Sequence, residues 1–159
     1  WFSDKVKRRP LVMMMLAVVV AGGVGCGLKL VIGRVRPQAC RGETVFRPLQ
    51  RPGEYKPDPS FPSGHTTTAF AFAYGLSRLY PRARKVFLFL AMACGVSRAL
   101  GQTHFVTDVL CGAWVGWEVA GLVWGWGFGG LIRWIDARIP DISWYPKWDW
   151  DATGFKQLA

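Results

Sequence analysis

Four apolar stretches divide the chain: Leu11 to Gly33, Thr66 to Tyr80, Val86 to Leu100 and Phe105 to Phe128. The polar links between them are rich in arginine, proline or glycine. The first and last stretches are long enough to cross a hydrocarbon layer of roughly 30 Å, whereas the middle two fall short of the roughly 20 residues usually needed. Snorkelling ends such as Arg78 and Arg84 would compensate the short pair. The pattern predicts an all-α transmembrane helix bundle with four spans. Gly22, Gly23, Gly25 and Gly27 would weaken a soluble helix but let neighbouring helices approach in a membrane, and Gly112-x-x-x-Gly116 and Gly121-x-x-x-Gly125 suit the same close packing.

Composition adds size and sidedness. At 159 residues and 51% apolar content the chain reads as one domain, residues 1–159, able to bury a core. Its formal net charge is +10, and the placement of that charge matters more than its size. Lys5, Lys7, Arg8 and Arg9 precede the first stretch, Arg82, Arg84 and Lys85 join the second to the third, and Arg133 and Arg138 follow the fourth. If each stretch spans once, these segments share the cytoplasmic side. The links Arg34 to Ser63 and Gly101 to His104 then face outward, as for a site on the extracytoplasmic side of a bacterial inner membrane. Charge dispersed among membrane-flanking links argues against a nucleic-acid partner. The tail, residues 131–159, carries Trp134, Trp144, Trp148 and Trp150 among charged residues, which suits a cytoplasmic interfacial belt.

Residues 38–61 hold six prolines and glycines without helical or strand period and read as an outer loop over a site. Cys26, Cys40, Cys94 and Cys111 have no paired spacing and imply no disulfide framework.

The chemistry gathers at the predicted outer ends. His104 and Asp108 are four residues apart, a spacing that brings two side chains to one helix face, where the carboxylate would hold one ring nitrogen and leave the other free to attack or accept a proton. Arg98 lies across Gly101, a predicted helix end, and returns toward the same spot. Pro62-Ser63-Gly64-His65 marks a helix start with Ser63 as N-cap, and such an end binds phosphate. Lys29 and Arg36 add charge at the exit of the first stretch; a lone lysine there would be only a snorkelling anchor. Three cations, a helix N-terminus, two histidines and one aspartate describe a pocket for a dianionic tetrahedral group. No metal-ligand spacing accompanies them, so the chemistry is expected to need no metal or cofactor. Glu118 reads as buried in the fourth stretch, hydrogen-bonded to another helix.

Lys29-x6-Arg36-Pro37, Pro62-Ser63-Gly64-His65 and Ser97-Arg98-x5-His104-x3-Asp108 together resemble the three-part signature of the type-2 phosphatidic acid phosphatase superfamily of integral-membrane lipid phosphatases. The resemblance implies that His104 is the nucleophile forming a phosphohistidine, that Asp108 orients it, and that His65 is the general acid and then activates water. It implies that Lys29, Arg36, Ser63, Gly64 and Arg98 hold the phosphate. Membrane members usually have six spans, so the chain reads as the catalytic half, with the first pair expected before Trp1.

The function expected is metal-independent hydrolysis of a terminal phosphate of a membrane lipid, the lipid and the bilayer being the partners. Oligomeric state and the particular lipid stay open. A phosphotransferase passing phosphate or a phospho-head-group to a lipid acceptor would use the same residues. A vanadate-dependent haloperoxidase has a similar pocket but is soluble, and a lipid-binding scaffold would not need both histidines and Asp108.

Overall fold

Glycine and proline set the ends of the helices. The computed structural model describes residues 8–40, 43–49, 59–125, 148–151 and 154–157. Among these, four α-helices form the bundle: α1 (Arg8–Ile32), α2 (Gly64–Leu79), α3 (Arg84–Leu100) and α4 (Val106–Gly125). α1 stops at Gly33, whose φ of +57° a side chain would disfavour. α2 stops at Tyr80, which Pro81 forces out of helical geometry (φ −130°, ψ 74°). α3 ends in a Schellman motif: the Thr103 amide donates to the Arg98 carbonyl at 3.2 Å and the Gln102 amide to the Ala99 carbonyl at 3.0 Å. Gln102 takes the left-handed position usually given to glycine, at φ +53°.

α2 packs against each of the other three helices. Its crossing with α4 is backbone-close. A Cβ on Gly116 would stand 2.1 Å from the Thr67 carbonyl oxygen, and one on Gly112 would stand 2.7 Å from that of Ser63. The second glycine pair does not share this role, since Gly121 faces only the Tyr74 ring at ordinary contact distance and Gly125 faces open space. Met13, Met14, Ala17 and Ala21 of α1 meet Ala71 and Leu79 of α2 and Ala120, Val123 and Trp124 of α4 in the apolar core.

α1 over Leu11–Ile32 and α4 over Val106–Gly125 are long and apolar enough to cross a bilayer, with only 28% and 33% of their windows buried in the bundle. The core helix of a water-soluble protein would be largely covered. α2 and α3, at 16 and 17 residues, are shorter, and α3 turns Val86, Phe89, Leu90, Met92 and Val96 outward.

One expectation changes here. Glu118 is exposed on α4 rather than buried, because contact with α2 turns the covered face through Val115, Gly116 and Ala120. In the tail, β1 (Trp148–Asp151) pairs antiparallel with β2 (Gly154–Gln157), Trp148 opposite Gln157. Residues 126–147, including the end of the fourth apolar stretch and most of the tail, lie outside the described residues. Within the 38–61 loop, residues 43–49 run back along the exit of α1, where the Val35 amide donates to the Val45 carbonyl and the Arg47 amide to the Gly33 carbonyl, both at 2.8 Å.

Candidate active site

Among the described residues, the largest side chains wholly removed from solvent are not those of the apolar core. They are Ser60, Pro62, Ser63, Thr66, Thr67 and Asp108, gathered where α2 and α4 begin. Polar groups so deeply buried must be paired, and three threonine hydroxyls turn back on the start of α2 to do so. Thr66 Oγ1 donates to Ser63 Oγ at 2.9 Å, Thr67 Oγ1 to the Ser63 carbonyl at 3.0 Å and Thr68 Oγ1 to the Gly64 carbonyl at 3.0 Å.

Ser63 is the N-cap residue of α2, but its side chain makes no capping bond. Its amide donates to the Asp108 carbonyl at 3.0 Å, which ties the starts of α2 and α4 together. The amides left for an anion are therefore those of the first turn beyond it, Gly64 to Thr66. Lys29 runs alongside, its Cε 3.8 Å from where a Cβ on Gly64 would lie, and its Nζ donates to the Pro59 carbonyl at 2.6 Å.

His65, on the first turn ahead of the Thr66 to Tyr80 stretch, keeps an exposed ring. Partial desolvation, then the charges of Arg98, His104, Arg36 and Lys29, hold its pKa below the ordinary histidine range. Those four residues come from α3, the turn before α4, the segment after α1 and α1 itself. The bundle thus brings Lys29, Arg36, His65, Arg98 and His104 into one electrostatic neighbourhood.

His104 does not sit on the helix that carries Asp108. It lies in the turn before α4, while Asp108 occupies the third residue of that helix and accepts the Phe105 amide at 2.8 Å, the carboxylate half of a capping box. The imidazole is 4% exposed, and its Nδ1 stands 2.8 Å from the Ser60 carbonyl oxygen. A carbonyl only accepts, so Nδ1 carries a proton, and in the neutral ring it is Nε2 that has the lone pair. The carboxylate of Asp108 stands 3.9 Å from Nδ1, an ion-pair distance too long for a hydrogen bond.

Two residues at this centre were absent from the sequence reading of the site. Ser60 Oγ donates to Asp108 Oδ2 at 2.5 Å, and Arg34 Nη1 meets Asp108 Oδ1 at 2.7 Å while also reaching Thr107 Oγ1 at 2.7 Å. The Arg34 guanidinium lies 3.8 Å over the Phe105 ring. Arg34 was visible only as one of several arginines after α1, and Ser60 carried no signal beyond standing just ahead of Phe61-Pro62-Ser63.

The PAP2 superfamily model matches residues 10–131, which include α1 from its third residue, the other three helices and every site residue named above. The chain belongs to the PAP2 superfamily. Within that family it is similar to lipid A 1-phosphatases of three bacteria. It is 36% identical to the Rhizobium etli protein over 65% of this chain and 45% of that one, and 34% identical to the Rhizobium johnstonii protein over 79% and 47%. The Porphyromonas gingivalis protein is 34% identical over 67% of this chain and 21% of that one. The chain thus spans less than half the length of these curated relatives. No solved structure matches it significantly. Membership in the PAP2 superfamily and the two uncovered apolar helices together mark a membrane protein.

Proposed function

We propose that the chain carries the active site of a metal-independent lipid phosphate phosphatase working through a phosphohistidine, with the 1-phosphate of lipid A as the first substrate to test. The observation that carries this reading is a buried imidazole whose Nδ1 is committed to a carbonyl, within the electrostatic reach of a second histidine on which Arg98, Arg36 and Lys29 also act. The cations and the amides after Ser63 receive the phosphate dianion and stabilise the charge that spreads over its equatorial oxygens. His104 Nε2 attacks phosphorus as the ester P–O bond breaks, and protonated His65 gives its proton to the leaving oxygen. His65, now neutral, takes a proton from water. The hydroxide attacks phosphorus, the P–N bond breaks, and inorganic phosphate leaves with His104 neutral again.

The substrate choice follows from the three lipid A 1-phosphatases the chain is similar to and from the family match. All four helices cross the bilayer in this reading, α2 and α3 spanning about 25 Å each and α3 lying with an apolar face outward. The basic link Arg82 to Lys85 lies at the opposite end of the bundle from His65 and His104, which supports a cytoplasmic link and an extracytoplasmic site.

The test is phosphate release in detergent with a chelator present, from lipid A 1-phosphate, phosphatidate, phosphatidylglycerophosphate and polyprenyl diphosphate, by the parent and a His104→Ala variant. Release from lipid A that the variant loses, with an acid-labile phosphoenzyme trapped in the parent, is expected. Release sustained by His104→Ala would remove the mechanism, and transfer to an added lipid alcohol without hydrolysis would replace the hydrolase with a phosphotransferase.

A further inference from the structure

The bonds around Asp108 close into a ring. Arg34 holds the carboxylate with its guanidinium, Ser60 Oγ donates to the other carboxylate oxygen, and the Ser60 amide donates to Arg34's own carbonyl at 2.5 Å. Arg34 therefore fixes Asp108 by its side chain and Ser60 by its main chain, while Ser60 and Asp108 fix each other. His104 hangs from this ring through the Ser60 carbonyl, with the Ser60 hydroxyl a further 3.3 Å contact to the same Nδ1.

Arg34 is set apart from the cations of the phosphate pocket. Its side chain is 11% exposed and Asp108 is wholly buried, so each charge depends on the other. Thr107 Oγ1 supplies a further acceptor, and the Phe105 ring covers one guanidinium face. Arg36, two residues later, instead acts on His65, as do Lys29 and Arg98.

We propose that Arg34 and Ser60 are positioning residues for His104: their ring with Asp108 sets the Ser60 carbonyl opposite Nδ1, which keeps the proton there and the Nε2 lone pair toward the phosphate. Asp108 acts on the imidazole through Ser60 and through its charge, not by a direct bond. Loss of the Arg34 side chain leaves a buried carboxylate without its counter-charge; Asp108 then no longer holds the Ser60 hydroxyl in place, and the Ser60 amide keeps only its bond to the residue-34 carbonyl. The consequence is a wrongly oriented or wrongly protonated nucleophile, while the phosphate ligands stay in place. The inference rests on the reading of His104 as the attacking group, but the state of its ring can be observed without turnover.

The full chain with ¹⁵N-labelled histidine in detergent micelles tests this directly, since it holds only two histidines and His104→Gln assigns them. The parent is expected to give the His104 signals of a single Nδ1–H tautomer, and Arg34→Gln those of a mixture. On lipid A 1-phosphate, Arg34→Gln should lower kcat by about 10- to 100-fold, the range for a reacting group misplaced by an ångström or less, with KM within about twofold. Arg34→Lys should recover part of that loss. Ser60→Ala, which leaves no charge unpaired, should also lower kcat at constant KM and spread the tautomer, and it decides the matter if Arg34→Gln does not fold. An unmoved tautomer, or a raised KM with kcat intact, would overturn the proposal. If the parent releases no phosphate from any lipid yet the tautomer shifts in the variants, the positioning role stands and the phosphatase reading fails.

Discussion

Gly116 of α4 lies against the backbone of Thr67 in α2, so close that a Cβ at residue 116 would stand 2.1 Å from the Thr67 carbonyl oxygen. Thr67 lies one turn from Ser63, and Ser63 is tied to Asp108 by its amide. The crossing therefore sets the separation between the two helix starts that carry His65 and Asp108. Gly116→Ala must push α2 away from α4, and overpacking of this kind costs about 1–3 kcal/mol. Gly121→Ala, facing only the Tyr74 ring at 3.7 Å, should be close to neutral. Thermal unfolding midpoints and turnover of the two variants in detergent would check this; equal behaviour would show that the crossing does not govern the site.

Gly33 carries a second close approach. A Cβ there would meet the Arg47 carbonyl oxygen at 1.9 Å, and the residue's φ of +57° is already unfavourable for a side chain. Gly33→Ala should detach residues 43–49 from the exit of α1 and destabilise the protein by about 1–3 kcal/mol. The Val35 and Arg47 amides, bonded to Val45 and Gly33 in the parent, should then exchange with solvent much faster. Unchanged protection at both amides would rule out this anchoring role.

The helices and most of the site were legible because their signals are local. Each of the four apolar stretches becomes a helix whose ends fall within two residues of those expected, apart from the start of α1 and the unassigned end of the fourth stretch. His65, His104, Asp108, Lys29, Arg36 and Arg98 stand out as chemically unusual residues at helix ends. Arg34 and Ser60 escape because their meaning is tertiary. Arg34 meets a carboxylate 74 residues away, and Ser60 meets His104 across 44 residues, so no local spacing distinguishes them from other loop residues. The same limit explains Glu118. A helical count from Asp108 takes it to the inner face, but the covered face of α4 is decided by where α2 crosses. In the tail, Trp-Asp-Trp-Asp alternates with strand period, and that alternation was the available sign of β1.

The field around His65 has a consequence for pH dependence. Desolvation first, then Arg98, His104, Arg36 and Lys29, favour its neutral form, so in the free protein the protonated acid is lost at lower pH than for an ordinary histidine. A bound phosphate dianion opposes those charges and favours protonation. If His65 is the general acid, the alkaline limb of kcat/KM, which reports the free enzyme, should lie below the ordinary histidine range, and that of kcat at higher pH. Arg98→Gln removes one repelling charge and should move the kcat/KM limb upward. Full pH–rate profiles of both proteins are the measurement, and limbs that coincide in kcat and kcat/KM would count against His65 as the proton donor.

The proposed division between nucleophile and phosphate ligands gives the sharpest kinetic contrast. His104 is buried with Nδ1 committed to the Ser60 carbonyl, and in the proposed mechanism its Nε2 is the attacking atom. His104→Ala should therefore lower kcat by about four orders of magnitude or more, the scale seen when a nucleophile is removed. In the proposed mechanism Arg36 contributes charge at the pocket and is not part of the bond-making path. Arg36→Ala removes one charge-assisted contact of about 1.5–3 kcal/mol, which corresponds to a KM raised by about 10- to 150-fold with a smaller effect on kcat. The two variants should separate further in a trapping experiment. Arg36→Ala at saturating lipid should still accumulate the acid-labile phosphoenzyme, whereas His104→Ala should accumulate none. A phosphoenzyme in His104→Ala would move the nucleophile to another residue, and a collapse of kcat without change in KM for Arg36→Ala would move Arg36 from substrate capture to the transition state.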